Sequence, residues 1–351
     1  MTAELGVAGV MLAALAVYTL MGGADFGGGV WDLLASGRRA EDQRKLIDRT
    51  LAPIWEANHV WLILIIVLMF VGFPAAFAAI TTALHVPLCV MLVGIVLRGS
   101  AFTFRAYDLK AGAGARRWRR VFEVASLITP VTLGVTLGAM GHIRMNPAVL
   151  VPGGCVHPSP TLPLVVTDFV SEWFAAFPLA VGGFTLAVCA FLAAVYLANE
   201  ADDAEDAELA DVFRVRALIS AGMVGVTALL AFTVSAPHIQ ADLTASAWAG
   251  PLHVATGLAA VAAIVLLWLR RFAAARVAAA AQVTLIVLGW GLAQYPELAI
   301  PGLTIAECGA PRSVLVPMLV TLGVGSAALV PALVYLFAVF KAHGQSAEDD
   351  H

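Results

Sequence analysis

Three long apolar stretches, 63–80, 121–139 (broken only by Glu123) and 277–292, decide what this chain can fold into. No water-soluble core is large enough to hide all of them. In lipid the backbone must satisfy its own hydrogen bonds, so apolar stretches of about 20 residues become helices. The rest of the composition agrees, with 61% hydrophobic and 13% charged residues, against the roughly 25% charged residues of an average soluble domain. The expected fold is all-α: a single polytopic membrane domain over 1–351, with nine transmembrane helices. These fall at about 5–33, 53–72, 75–98, 120–141, 169–197, 217–236, 251–270, 274–294 and 313–340. The first segment lacks a basic leader and runs straight into a polar motif, which argues against a cleavable signal peptide.

Orientation follows from the positive charges. Of the 20 Lys and Arg, 18 fall on the side holding the loops after spans one, three, five and seven and the C-terminal tail. Arg144 and Arg312 alone fall on the other side. That asymmetry places the N-terminus outside and the C-terminus in the cytoplasm. The basic run Arg116-Arg117-Trp118-Arg119-Arg120 reads as a membrane-surface anchor, and no pattern suggests nucleic acid.

Within this apolar background a few ionisable residues stand where the sequence implies lipid. Asp25 lies in Gly22-Gly23-Ala24-Asp25-Phe26-Gly27-Gly28-Gly29, late in the first span. Glu56 and His59 lie in Trp55-Glu56-Ala57-Asn58-His59-Val60-Trp61, early in the second. Each such residue costs about 2.5–3.5 kcal/mol on insertion scales, so a partner or a task is expected. Glu56 and His59 share a helical face at i and i+3. The two helices are antiparallel neighbours, so all three residues come to one depth, in the inner third. That suits protonatable groups opening on the cytoplasm; the alternative is a buried structural pair holding two helices in register. The glycines are expected to allow close helix approach or a local break.

Other positions have plainer readings. His85, placed near mid-membrane, reads as bonded to a carbonyl freed by Pro87, and Arg98 reads as snorkelling to the inner headgroups. The acidic stretch 199–211 reads as a solvated loop. Cys89 and Cys189 fall within spans as core fillers. Cys155 and Cys308 lie in the two longest outside loops, where an oxidising compartment allows a disulfide between them. A faint echo of the first span at Phe177–Phe184 suggests two four-helix bundles plus one helix.

With these residues in view, the chain resembles subunit II of the cytochrome bd type quinol oxidases. The match rests on Asp25-Phe26-Gly27-Gly28-Gly29, on Trp55-Glu56-Ala57-Asn58-His59-Val60-Trp61-Leu62, and on Gln294-Tyr295-Pro296 followed by Leu303-Thr304-Ile305. Gly27, Gly29, Trp55, Asn58, Trp61, Arg98, Tyr295 and Pro296 are the positions taken as structural parts of the pattern. The resemblance implies a complex in the bacterial cytoplasmic membrane that oxidises quinol and reduces oxygen to water. It places haem b and haem d in a partner, subunit I, with none in this chain. In some members it adds a bound quinone and a small single-helix subunit. It assigns the chain a proton route from the cytoplasm, which maps onto Asp25 and Glu56. Four positions depart from the family pattern: Gly22 and Thr103 stand where acids are common, Ala57 replaces a glycine, and His59 fills a variable position. An imidazole changes charge near neutral pH, so His59 is a candidate relay in place of the missing acids. Those missing acids also favour a second reading, a purely structural subunit of the same complex. A third is an independent secondary transporter, built on polar residues beside broken helices.

Overall fold

The structure, a computed structural model, describes residues 2–107, 113–141, 170–299 and 303–346; the side chain of Glu56 lies outside what it describes. In chain order the elements are α1 Ala3–Leu33, α2 Ala40–Gly72, α3 Pro74–Ala83, α4 His85–Tyr107 and α5 Ala113–Met140. Then come α6 Ala176–Asp203, α7 Ala207–Val234, α8 Pro237–Ala245, α9 Ala249–Trp268 and α10 Phe272–Gln294. The chain closes with β1 Glu297–Ala299, β2 Leu303–Thr304, α11 Ile305–Cys308 and α12 Arg312–Ser346. Among the described residues, eight helices are long and apolar enough to cross a membrane, or nine if one bent pair counts as a single span.

Local chemistry sets the helix ends. Thr2 and Asp206 accept hydrogen bonds from the backbone N–H groups of Leu5 and Leu209, capping α1 and α7. Proline opens α3 and α8, where its missing N–H costs nothing. The bent pair lies at the first of these prolines: 57–72 and 74–83 meet at 118° around Phe73. The apolar stretch read as one span from 75 to 98 is therefore two helices, α3 and α4, parted at Leu84. His85 is the exposed first residue of α4, and its Nδ1 lies 2.9 Å from the carbonyl of Thr82, near the C-terminal end of α3. It does not occupy mid-helix beside Pro87.

α6 sits at the centre. From Ala187 to Val195 every residue is buried, as are Leu197 and Ala198, so the helix is apolar all round and packed on every side. α1, α5, α7 and α10 pack against it. α4 leans on α5 and α2 on α1, whereas α9 leans on α10 and α7; α12 lies along α1 and α2.

A second apolar cluster joins Val7, Leu68, Phe73, Leu84, Cys308 and Leu315 at the end where α3, α11 and the β-hairpin meet. There the backbone of Ala310 donates to the Gly72 carbonyl at 2.8 Å, and that of Ile305 to the Pro296 carbonyl at 2.9 Å. Tyr295, exposed, and Pro296 turn the chain out of α10 through a cis peptide into β1.

The acidic stretch 199–211 is mostly helical, ending α6 and opening α7, and is more than a solvated loop. Asp206 makes a two-pronged ion pair with Arg39, at 2.8 and 2.5 Å, and Asp211 pairs with Arg270 at 2.7 Å. Across the same end Arg216 donates to Gln43 at 2.9 Å. The charged stretch 36–50, which falls between the first two expected spans, is helical from Ala40 and takes part in these links.

Candidate functional site: a buried ion pair among glycines

Asp25 on α1 and Arg98 on α4 are 0% and 2% exposed. Arg98 Nη1 donates to Asp25 Oδ2 at 2.5 Å, and Nη2 donates to Asp25 Oδ1 and to its backbone carbonyl, both at 2.7 Å. The remaining Nε donates to Ser126 Oγ on α5 at 2.9 Å. The rings of Phe26 and Phe122 flank the guanidinium, with centroids 5.1 and 4.8 Å from Cζ. All three guanidinium nitrogens donate, through four of the five N–H groups, and the two-pronged fork is the geometry that makes Arg–carboxylate pairs strong. Additional hydrogen bonds of this kind are what let a buried pair offset its desolvation. Arg98 therefore does not snorkel to the headgroups; an acid on a neighbouring helix holds it inside.

The glycines around Asp25 let three helices reach it. A Cβ on Gly29 would collide with Ser126, the third partner of Arg98. One on Gly27 would strike the backbone carbonyl of Cys189 on α6, and one on Gly23 would meet Leu192 at 2.5 Å. Gly23 and Gly27, at i and i+4, thus form the seam along which α1 lies on α6. One turn on, Trp31 donates its indole N–H to the Ala190 carbonyl at 2.8 Å and fixes that seam.

Gly22 faces a different helix. Its Cβ would lie 3.0 Å from Asn58 Nδ2 on α2. Asn58 is 0% exposed, and neither its Nδ2 nor its Oδ1 has a hydrogen-bond partner among the described residues. The indole nitrogens of Trp55 and Trp61 are likewise buried without partners among the described residues. At i, i+3 and i+6 these three residues form a polar stripe along one face of α2.

His59, half-buried, places Nδ1 2.8 Å from the Trp55 carbonyl, with its ring edge-on to the Trp55 indole. No hydrogen bond or ion pair among the described residues joins it to Asp25. Glu56 lies in α2, its side chain beyond description. Thr103 is exposed and bonds its own helix at Gly99.

Sequence reading thus found Asp25 but missed its partners. One signal was present: an arginine in the middle of an apolar helix needs an acid as much as Asp25 needs a base. Nothing comparable marks Ser126. Asp32, also 0% exposed, lies 3.4 Å from Arg44 Nε and was missed too.

Among the described residues no group of three or more His, Cys, Asp or Glu is placed to hold a metal ion. Cys308 is disulfide-bonded, whereas Cys89 and Cys189 are free thiols. Cys155, and with it the pairing read from the sequence, lies outside the described residues.

Comparison with known proteins bears on what this arrangement belongs to. Residues 3–340 match the family model described as cytochrome bd terminal oxidase subunit II. Cytochrome bd ubiquinol oxidase subunit 2 of Bacillus subtilis is 31% identical over 127 residues, which is 36% of this chain and 37% of that one. Cytochrome bd-I ubiquinol oxidase subunit 2 of Escherichia coli K12 is 26% identical over 104 residues, 28% of this chain and 26% of that one. The aligned segments thus span about a third or less of these relatives' lengths. In fold, the chain resembles one from the structure of bd oxidase from Geobacillus thermodenitrificans, with a TM-score of 0.77 at 24% identity. That likeness covers 97% of this chain and 99% of the other. A family match over nearly the whole length, on a multi-pass helical membrane fold, settles the membership: the chain belongs to the cytochrome bd terminal oxidase subunit II family.

Proposed function

We propose that this chain is the accessory subunit of a quinol-oxidising, oxygen-reducing terminal oxidase in a bacterial cytoplasmic membrane. It packs on a haem-bearing subunit I and crosses the bilayer nine times, N-terminus outside and C-terminus in the cytoplasm. The family match over residues 3–340 carries the reading. The positive charges gathered at one end, where Arg39 and Arg270 bind acids and Arg216 binds Gln43, support the orientation. The redox chemistry belongs to the haems of the partner. A bound quinone and a small third subunit belong to the same proposed assembly.

Within the complex, protons enter from the cytoplasm along α1 and α2, past Asp25, Glu56 and His59. The polar stripe of Trp55, Asn58 and Trp61 supports such a route, because unpartnered buried donors and acceptors on one helix face suit ordered water. Glu56 and His59 are the carriers. Asp25, doubly bonded to Arg98, contributes a fixed charge that holds α1, α4 and α5 around the route.

The test replaces Glu56 with Gln in the purified complex and follows oxygen consumption with a soluble quinol together with proton uptake. A large loss of turnover at intact haem content is the expected result. Unchanged turnover and uptake would leave a scaffold subunit, the reading that the closed Asp25–Arg98 pair favours.

A further inference from the structure

Arg116, Arg117, Arg119 and Arg120 stand at the start of the apolar span Arg116–Met140 on α5. A basic end follows from membrane topology alone, so their charge by itself names no ligand. Their want of carboxylates says more. At the same end Arg39, Arg44, Arg214, Arg270 and Arg276 each reach a carboxylate at 3.8 Å or closer. The arginines that open α5 form no ion pair among the described residues. Glu123, one turn on, interacts electrostatically with Arg119 and Arg120, but it is buried and also faces Asp32 and Arg44. One shared acid leaves this corner strongly positive.

Deeper along the same helix the exposed surface is apolar. Arg117, Arg120, Val124 and Ile128 follow at i, i+3, i+7 and i+11, on one helical face, and all are exposed. Leu97 and Phe104, exposed on neighbouring α4, share a face at i and i+7. The Phe104 ring stacks on Trp118 of α5, with centroids 4.6 Å apart. That ring pair joins the two helices at the level of the arginines, the headgroup level that aromatic side chains favour. Unpaired guanidinium groups above an apolar strip match the outline of one anionic phospholipid. Arginine forks a phosphate through two N–H groups, and acyl chains lie along the strip.

We propose that this corner of α4 and α5 binds one anionic phospholipid from the leaflet at the basic end, the cytoplasmic one in the orientation given above. Its headgroup phosphate sits on Arg117 and Arg120, and its acyl chains lie along Val124, Ile128 and Leu97. The site goes beyond the oxidase reading and does not depend on it. Basic recesses between membrane helices on the cytoplasmic side are a known way of holding anionic headgroups. α4 carries Arg98 and α5 carries Ser126, so a lipid lying across both helices reinforces the joint where they meet Asp25.

The test uses the intact purified complex, delipidated in detergent and titrated with phosphatidylglycerol or phosphatidylcholine, with bound lipid counted by native mass spectrometry. The parent is expected to hold phosphatidylglycerol in preference to phosphatidylcholine, and to lose that preference as ionic strength rises. Each charge near the surface contributes roughly fivefold to anionic-lipid affinity, so Arg117→Gln with Arg120→Gln is expected to weaken it about 30-fold. Arg117→Lys with Arg120→Lys keeps the charges and is expected to keep most of the affinity. Equal binding of the two lipids by the parent would overturn the proposal, and the salt titration needs no variant. A Gln variant that binds phosphatidylglycerol as the parent does would overturn it as well. Inorganic phosphate that competes with phosphatidylglycerol at equal concentration would leave a simple anion site in place of a lipid site. Loss of another subunit from the Gln variant, with lipid preference unchanged, would set the arginines against a partner chain and overturn the lipid too. Failure of the oxidase reading shows separately, as a parent complex without haem.

Discussion

Arg98 meets Asp25 through two parallel N–H···O bonds of 2.5 and 2.7 Å, so the acid that stands out most in the apolar sequence is neutralised within its own chain. The pair ties α1 to α4, and Ser126 extends the tie to α5.

Breaking one side of that pair leaves a buried charge uncompensated. Arg98→Met and Asp25→Asn are each expected to destabilise the subunit by about 3–5 kcal/mol. The double variant removes both charges and is expected to lose clearly less than the sum of the two, as interacting neighbours do. Thermal unfolding of the complex, followed together with the yield of assembled oxidase, checks this.

Glycines near the pair differ in what surrounds them. Gly27→Ala drives a methyl into the Cys189 carbonyl and pushes α1 off α6, an overpacking cost of about 1–3 kcal/mol. At Gly183, on the same central helix, nothing lies within 4 Å of an added Cβ. There an alanine is expected to be neutral or stabilising by up to about 1 kcal/mol, from helix propensity. Melting temperatures of the two variants side by side decide it.

Asn58 is buried without a hydrogen-bond partner among the described residues, so its polarity costs stability. Asn58→Leu is expected to raise stability by about 1–3 kcal/mol, the penalty of an unsatisfied buried group. If the stripe on α2 holds the water that conducts protons, turnover falls in the same variant. Water in the stripe would satisfy Asn58 and shrink that gain, so a slower oxidase of little changed stability marks a wet stripe and a more stable one of unchanged turnover a dry one, read from unfolding and oxygen uptake on one preparation.

At the basic end, the Arg39 guanidinium holds the Asp206 carboxyl below its ordinary value of 3.8, and Asp206 in turn raises the pKa of Arg39. A carboxylate whose pKa is lowered by folding contributes stability above its unfolded value and loses it as pH falls through the folded one. The contribution is therefore full at neutral pH and fades below about pH 4. Asp206→Asn should narrow the stability difference between neutral and acidic pH. Raised salt should weaken the link in the parent, since both partners are partly exposed. Unfolding measured across pH and ionic strength checks both expectations.

Cys308 is disulfide-bonded while Cys89 and Cys189 are free, and the chain has four cysteines. Peptide mapping without reductant is expected to recover Cys155 joined to Cys308. Both lie in segments read as outside loops, so the link should form only in the oxidising compartment.

The apolar helices of a multi-pass membrane fold and the family were legible in the residues. Lipid leaves a backbone no alternative to helix, and the motifs around Asp25 and Trp55 keep their spacing. Helix ends were less legible: the apolar stretch across Phe73 and Leu84 reads as continuous, and only packing against α11 and α12 shows where it bends.

The sequence by itself determined that Asp25 needed a partner or a task, because hydropathy and charge are properties of a residue and its near neighbours. Only the tertiary structure decided that the partner is Arg98, 73 residues away, and that Gly23, Gly27 and Gly29 exist to bring α5 and α6 within reach. Which helix faces which depends on the packing of whole surfaces, and one-dimensional order carries no direct record of that.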